Sequence, residues 1–136
     1  MIPEFTIREN LKVLLVEDNL LNQKLLSINL TKLKCLITIA NNGLEGVTIF
    51  KDQSFDVIIM DLMMPVMDGF ESAREIRKIE NEDKSRGYTP IIAFTANTLN
   101  DDLQKCLDNG MDYLMEKPFS SYKFVEIIES FDQWWF

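Results

Sequence analysis

Histidine is absent from the 136 residues of this chain. Serine–histidine–aspartate triads, zinc sites built on histidine and histidine general bases are therefore excluded at once. Basic residues are also few, with 14 Lys and Arg against 22 Asp and Glu and a net charge of −8. Direct binding to nucleic acid is disfavoured, because phosphate contacts need clustered Lys and Arg. The small basic groups are interpreted as solvated helix faces; they are Lys32 with Lys34, and Arg74 with Arg77 and Lys78.

Long apolar runs and paired cysteines are missing as well. No apolar run reaches membrane-spanning length, so no membrane association is expected. Cys35 and Cys106 are far apart and form no Cys-x-x-Cys motif, which indicates reduced thiols that serve packing in a cytoplasmic protein. Residues 1–10 lack the apolar core of a signal peptide. They are interpreted as an amino-terminal extension, in which Glu4-Phe5 is typical of a cloning scar.

Strand-like and helix-like stretches alternate along the rest of the chain. The length suits one domain, which is assigned to residues 11–131. Residues 132–136, with Trp134, Trp135 and Phe136, are assigned to a tail or to the end of the last helix. Strands are predicted near residues 12–17, 35–40, 56–60, 90–95 and 112–116, each followed by a helix. Right-handed crossovers then give an α/β fold, a doubly wound parallel sheet with helices on both faces.

Apolar residues recur at helical spacing after the first two predicted strands. A first helix over about residues 20–34, capped by Asn19, carries at this spacing Leu21, Leu25, Ile28 and Leu33. Leu44, Val47 and Phe50 are predicted to form the buried stripe of a short second helix. The later helices are predicted to end near residues 80, 109 and 131.

Four of the five predicted strands end on side chains that carry chemistry. The first runs into Glu17-Asp18, the third into Asp61, the fourth into Thr95 and the fifth into Lys117. Parallel strands of an open α/β sheet place their carboxyl ends at one edge, where ligands bind. We therefore expect three carboxylates, a hydroxyl and an amine to meet in one cleft. This set suits a divalent cation and the transfer of a phosphoryl group onto a carboxylate.

Each of these residues alone has an ordinary structural interpretation. Asp61 could cap the next helix, and Glu17-Asp18 could be a solvated loop. A lone Thr at a strand end is usually structural, and a lone Lys usually lies on the surface. Together they favour a metal site, because converging carboxylates repel one another unless a cation lies between them. Hard oxygen ligands favour Mg²⁺, with Mn²⁺ as a substitute.

With these residues in place, the chain resembles the receiver domain of two-component response regulators, including receivers fused to hybrid histidine kinases. The resemblance covers residues 11–131, and its motifs keep the family's order and spacing. The matching pieces are residues 13–19 with Glu17-Asp18-Asn19, 56–69 with Asp61 and Met67-Asp68-Gly69, 90–97 with Thr95-Ala96-Asn97, Gly110-Met111-Asp112 and Lys117-Pro118-Phe119. The resemblance implies five helices around strands in the order 2-1-3-4-5, as in flavodoxin-like chemotaxis regulators.

The same resemblance implies a role for each site residue. Asp61 would be the phosphoacceptor, and Thr95 and Lys117 would hold the phosphoryl oxygens. Asp18, Asp61 and the backbone carbonyl of Met63 would be Mg²⁺ ligands, with Glu17 holding the ion through water. The implied phosphoryl donor is a phosphohistidine on a histidine kinase or a histidine phosphotransfer domain. A homodimer through the surface of the fourth helix, fifth strand and fifth helix stays open.

The chain departs from the family's pattern beside the site. Family members usually carry an aromatic residue three positions before the lysine, where this chain has Leu114. Tyr113 lies one residue earlier, and alternation along a strand predicts that it points to the opposite face. Met63 and Asn97 occupy positions that border the path of hydrolytic water in the family. A cis bond before Pro118 would fix the direction of the lysine.

Three other functions match parts of the pattern. A phosphatase of the haloacid-dehalogenase kind also uses a strand-end Asp and Mg²⁺, but usually has a second Asp where this chain has Met63. A flavin-binding flavodoxin-like protein needs a Ser/Thr/Gly-rich loop after the first strand, and here that loop is acidic. A receiver that serves only as a docking platform stays open. The sequence thus predicts a phosphorylation-gated signalling module that turns over no diffusible substrate.

Overall fold

The computed structural model describes residues 7–96 and 100–135. Within them lies a five-stranded parallel sheet in the order β2-β1-β3-β4-β5, which confirms the predicted order. The strands are β1 Lys12–Val16, β2 Leu36–Ala40, β3 Val57–Asp61, β4 Ile91–Thr95 and β5 Tyr113–Glu116. None of the helices in this part of the chain is long and apolar enough to cross a bilayer.

A helix follows each strand, as predicted. The helices are α1 Leu20–Lys32, α2 Gly43–Asp52, α3 Gly69–Glu82, α4 Asn100–Asp108 and α5 Ser121–Trp135, with a 3₁₀ turn at Lys84–Arg86. Asn19, Asn42 and Asp68 each accept a first-turn backbone N–H, so a polar residue starts each of the first three helices. The backbone of α5 continues past the predicted end near residue 131. The side chains of Trp134 and Trp135, and all of Phe136, lie outside the described part of the chain.

Side chains are buried on both faces of the sheet. All five residues of β3 are buried, as its continuous apolar run indicates. One core, which includes Phe50, Phe70 and Cys106, lies between the sheet and α2, α3 and α4. The other core, which includes Leu26 and Phe124, lies between the sheet and the pair α1 and α5. The strand ends are therefore held from both sides.

The apolar spacing in α1 does not mark its buried face. Leu21 is 65% exposed and Ile28 is 46% exposed, whereas Leu26 and Leu30 are buried. Apolar residues of α1 occur on most sides of this helix, so its contact with the sheet decides which of them are buried. In α2 the prediction is right for two of its three residues, because Val47 and Phe50 are buried and Leu44 is exposed.

Arg77 is not on a solvated face, so that prediction is wrong. Only 15% of its side chain is exposed, and its guanidinium pairs with Glu80 and Asp112. The cysteines agree better with the sequence interpretation, because Cys35 and Cys106 are both buried in the cores and neither is in a disulfide. Burial raises the pKa of the Cys35 thiol to about 11, which disfavours the reactive thiolate.

Candidate functional site

The carboxyl edge of the sheet brings the predicted site residues together. One carboxylate oxygen each from Glu17, Asp18 and Asp61 lie within 4.8 Å of one another. The ammonium nitrogen of Lys117 lies 3.4 Å from Asp61 Oδ1 and 3.6 Å from Glu17 Oε1. Thr95 lines the same cleft, which has a volume of about 660 Å³. The expected meeting of three acids, a hydroxyl and an amine is therefore present.

The backbone around Asp61 is held by close packing. A Cβ atom on Gly69 would lie 2.3 Å from the Asp61 carbonyl oxygen, so α3 can begin against β3 only with glycine there. The Gly69 N–H donates to the carbonyl of Leu62 at 3.1 Å. On the other side, the Lys117 N–H donates to the Thr95 carbonyl at 2.8 Å and joins the ends of β5 and β4. The Lys117–Pro118 peptide bond is cis.

Glu17 is the most deeply buried charge of the cleft. Its relative exposure is 0%, and Asp61 is also buried, whereas Asp18 is exposed. Burial raises the pKa of the Glu17 carboxyl from 4.5 to about 7, and the neighbouring Asp61 carboxylate adds to the rise. A hydrogen bond from Asn22 and the charge of Lys117 lower this pKa without cancelling the effect.

The donor set fits a hard divalent cation. Three carboxylates face one point, and Glu17 Oε2 is buried without a hydrogen-bond partner among the described residues. A buried carboxylate oxygen without a donor is costly unless a cation or water meets it. Oxygen ligands with room for water suit Mg²⁺. The residues present therefore fit the predicted ion.

Metal binding should depend on pH through Glu17. Since Mg²⁺ needs the ionised carboxylate, we expect affinity to be on the order of ten-fold weaker near pH 6 than near pH 8. Folding stability of the metal-free protein should depend on pH in the opposite direction from Mg²⁺ affinity. The folded pKa is raised above the unfolded value, so the stabilisation from Glu17 is full below about 4.5 and is lost as pH rises through about 7.

Mg²⁺ titrations monitored by amide NMR at the two pH values would test this dependence. Glu17→Gln serves as the comparison, since it has no proton to lose at this position. A similar pH slope in that variant would show that another group controls the affinity.

The positions expected to modulate the site divide into three cases. Met63 is 77% exposed, and its N–H lies 3.4 Å from Asp61 Oδ1. Tyr113 donates to or accepts from Ser130 on α5, whereas Leu114 packs on the core of α2, α3 and α4. The two side chains therefore point to opposite faces, as alternation predicts. Asn97 lies outside the described residues.

Sequence reasoning missed two hydrogen bonds of the site. Asn22 Nδ2 donates to Glu17 Oε1 at 2.7 Å, and the next residue, Gln23, donates to the Glu17 carbonyl at 2.6 Å. Amides in the first turns of a helix carry no distinctive sequence signal. Only their position one turn after the cap Asn19 could have drawn attention to them.

Comparison with known proteins agrees with this geometry. The family described as "Response regulator receiver domain" matches residues 13–129. A curated relative, "Probable histidine kinase 2" of Oryza sativa subsp. indica, is 39% identical over 134 residues, which cover 88% of this chain. The match spans only 13% of that relative's length.

Two solved structures are similar over most of their own length. The receiver domain of sensor histidine kinase PA1611 from Pseudomonas aeruginosa, with a magnesium ion coordinated in its active site cleft, has a TM-score of 0.78 and 37% identity. The match covers 89% of this chain and 96% of that one. A chain in the co-crystal structure of Saccharomyces cerevisiae Ypd1 and the Ssk1 receiver domain has a TM-score of 0.81 and 33% identity. That match covers 90% of this chain and 89% of the other.

Proposed function

The chain belongs to the response regulator receiver domain family, and we propose that Asp61 is the residue on which it accepts a phosphoryl group. It is a receiver of the kind found in hybrid histidine kinases and response regulators, which act in two-component phosphorelays. The observation that carries the assignment is the position of the Asp61 carboxylate, close to Lys117 and to the acids Glu17 and Asp18.

Each side chain of the cleft has a task in the transfer. Asp61 attacks the phosphorus, an oxygen–phosphorus bond forms, and the phosphorus–nitrogen bond of the donor imidazole breaks. Lys117 and Thr95, which line the same cleft, would bind oxygens of the phosphoryl group as negative charge redistributes. Glu17, Asp18, Asp61 and the Met63 carbonyl would hold Mg²⁺. The bound ion would neutralise the carboxylates so that the anionic group can approach.

A donor outside this chain fits the absence of histidine from its sequence. We propose a phosphohistidine on a histidine kinase or a histidine phosphotransfer protein. Exposed Leu20 and Leu21 border the cleft on one side and exposed Met63 on another, which suits a protein donor rather than a small one. The Ypd1–Ssk1 structure contains a phosphotransfer protein together with a receiver domain. A cytoplasmic location and homodimer formation stay predictions.

The alternatives are less well supported. The position two residues after Asp61 carries the exposed thioether of Met63, which cannot protonate a leaving group as a haloacid-dehalogenase phosphatase requires. A docking-only receiver does not require a complete acidic cleft with its lysine.

We propose that phosphorylation of Asp61 draws in Thr95 and changes the surface of α4, β5 and α5. Leu114 takes the place of the aromatic residue that is usual in the family.

Intact-protein mass after incubation with Mg²⁺ and acetyl phosphate tests the assignment. We expect one base-labile phosphoryl adduct, no adduct in Asp61→Asn and none after chelation of the metal. Asp52→Asn, at the exposed end of α2, is the matched control and should be phosphorylated to the same extent as the wild-type protein. An adduct that persists in Asp61→Asn would reject Asp61 as the acceptor.

A further inference from the structure

Asn22 is tied to both ends of the β1–α1 connection. Its backbone N–H donates to the cap side chain Asn19 Oδ1 at 2.9 Å, which fixes the first turn of α1. Its side-chain Nδ2 donates to Glu17 Oε1 at 2.7 Å. The helix start therefore sets the position of a donor that engages one oxygen of a fully buried carboxylate.

The backbone of Glu17 is held by a second amide. Gln23, which is buried on α1, donates from Nε2 to the Glu17 carbonyl at 2.6 Å and to Asn41 Oδ1 at 2.9 Å. Asn41 in turn donates to Glu45 at 3.0 Å. This chain of amides links the loop after β1 to the loop before α2, so the backbone at Glu17 has little freedom to move.

The two carboxylate oxygens of Glu17 therefore have different contacts. Oε1 accepts from Asn22 and faces Lys117 at 3.6 Å, whereas Oε2 is buried without a partner among the described residues. We propose that Asn22 is a positioning residue for the metal: it holds Oε1 so that Oε2 is presented to the cation. This inference rests on the metal role assigned to Glu17 under the proposed function.

A neutral amide suits this task better than a charged donor. A lysine or arginine at position 22 would neutralise Glu17 and repel the cation, whereas an amide directs the carboxylate and leaves its charge available. Partners that orient metal ligands typically change metal affinity by about 10- to 100-fold when removed. Fixed ligands also favour Mg²⁺ over the larger Ca²⁺, because Mg²⁺ demands stricter geometry.

A double-mutant cycle on Mg²⁺ affinity, measured by amide NMR titration, tests the inference. Asn22→Leu keeps the approximate shape and removes the donor, and Glu17→Gln leaves Asp18 and Asp61 to bind the ion. We expect Asn22→Leu to weaken Mg²⁺ binding by about ten-fold when Glu17 is present. The same substitution should weaken binding by less than about two-fold in the Glu17→Gln protein. The preference for Mg²⁺ over Ca²⁺ should also fall in Asn22→Leu.

Asn29→Leu is the matched control, because within the described residues Asn29 Nδ2 donates to the Leu25 carbonyl of the same helix and not to the site. It should bind Mg²⁺ like the unmodified protein. Equal affinity in Asn22→Leu, or an equal loss in both Glu17 backgrounds, would overturn the positioning role and leave the proposed function intact. Absence of Mg²⁺ binding in the unmodified protein would overturn the metal role itself.

Discussion

Replacement of Lys117 by methionine is expected to slow phosphorylation of Asp61 by about 100-fold while Mg²⁺ binds at least as tightly as before. The ammonium lies 3.4 Å from Asp61 Oδ1 and 3.6 Å from Glu17 Oε1, so it competes with a cation for the same carboxylates. Its loss removes that competition. The transferring phosphoryl group, however, loses a cation that stabilises its oxygens, and transfer suffers.

Initial rates of adduct formation and Mg²⁺ titrations on the same samples would measure the two effects separately. Lys123→Met is the matched control, since Lys123 is exposed on α5 and its ammonium lies 3.8 Å from Glu126, outside the cleft. It should leave both quantities unchanged. If Lys117→Met instead weakened Mg²⁺ binding and phosphorylation in parallel, the lysine would be maintaining the shape of the cleft rather than assisting transfer.

Replacement of Arg77 by methionine is expected to lower the free energy of unfolding by about 3–5 kcal/mol. Its guanidinium donates to Glu80 at 2.6 Å, to Asp112 at 3.0 Å and to the carbonyls of Thr89 and Gly110 at 2.8 and 2.9 Å. Both acids are nearly buried and also accept backbone N–H groups next to β4. Without the arginine, two buried negative charges would lose their counter-charge.

Urea denaturation of Arg77→Met and of Lys78→Met would test this expectation. Lys78 is the neighbouring exposed cation, which pairs with the partly exposed Glu75, and its loss should cost less than about 1 kcal/mol. Because a typical domain is stable by only about 5–15 kcal/mol, the Arg77 variant is expected to unfold at a clearly lower urea concentration. Similar midpoints for the two variants would show that the Arg77 network adds little to stability.

Much of the site could be predicted because its residues are marked by local sequence. Asp61 follows a continuous apolar run and Thr95 follows another, so the end of each strand is visible without any tertiary information. The parallel arrangement then places these ends at one edge. The predicted cap Asn19 and the predicted helix end near residue 109 depend equally on local backbone chemistry, and the structure starts α1 after Asn19 and ends α4 at Asp108.

Other features depend on which surfaces meet. Leu21 and Leu26 are chemically alike, yet only Leu26 is buried, because the side of α1 that meets the sheet is set by packing. Arg77 lies in a basic group that is typical of a solvated face, yet it binds Asp112, which is 35 positions away along the chain. Such partners cannot be read from composition or spacing.

The sequence alone determined the fold class and the strand-end residues Asp61, Thr95 and Lys117. These follow from periodicity and from strand boundaries, which are local properties. The tertiary structure alone decided that Asn22 holds Glu17, that Arg77 is buried and that α1 exposes much of its apolar surface. The physical reason is that burial and side-chain hydrogen bonding arise between elements, and their relative placement is fixed only when the whole chain packs.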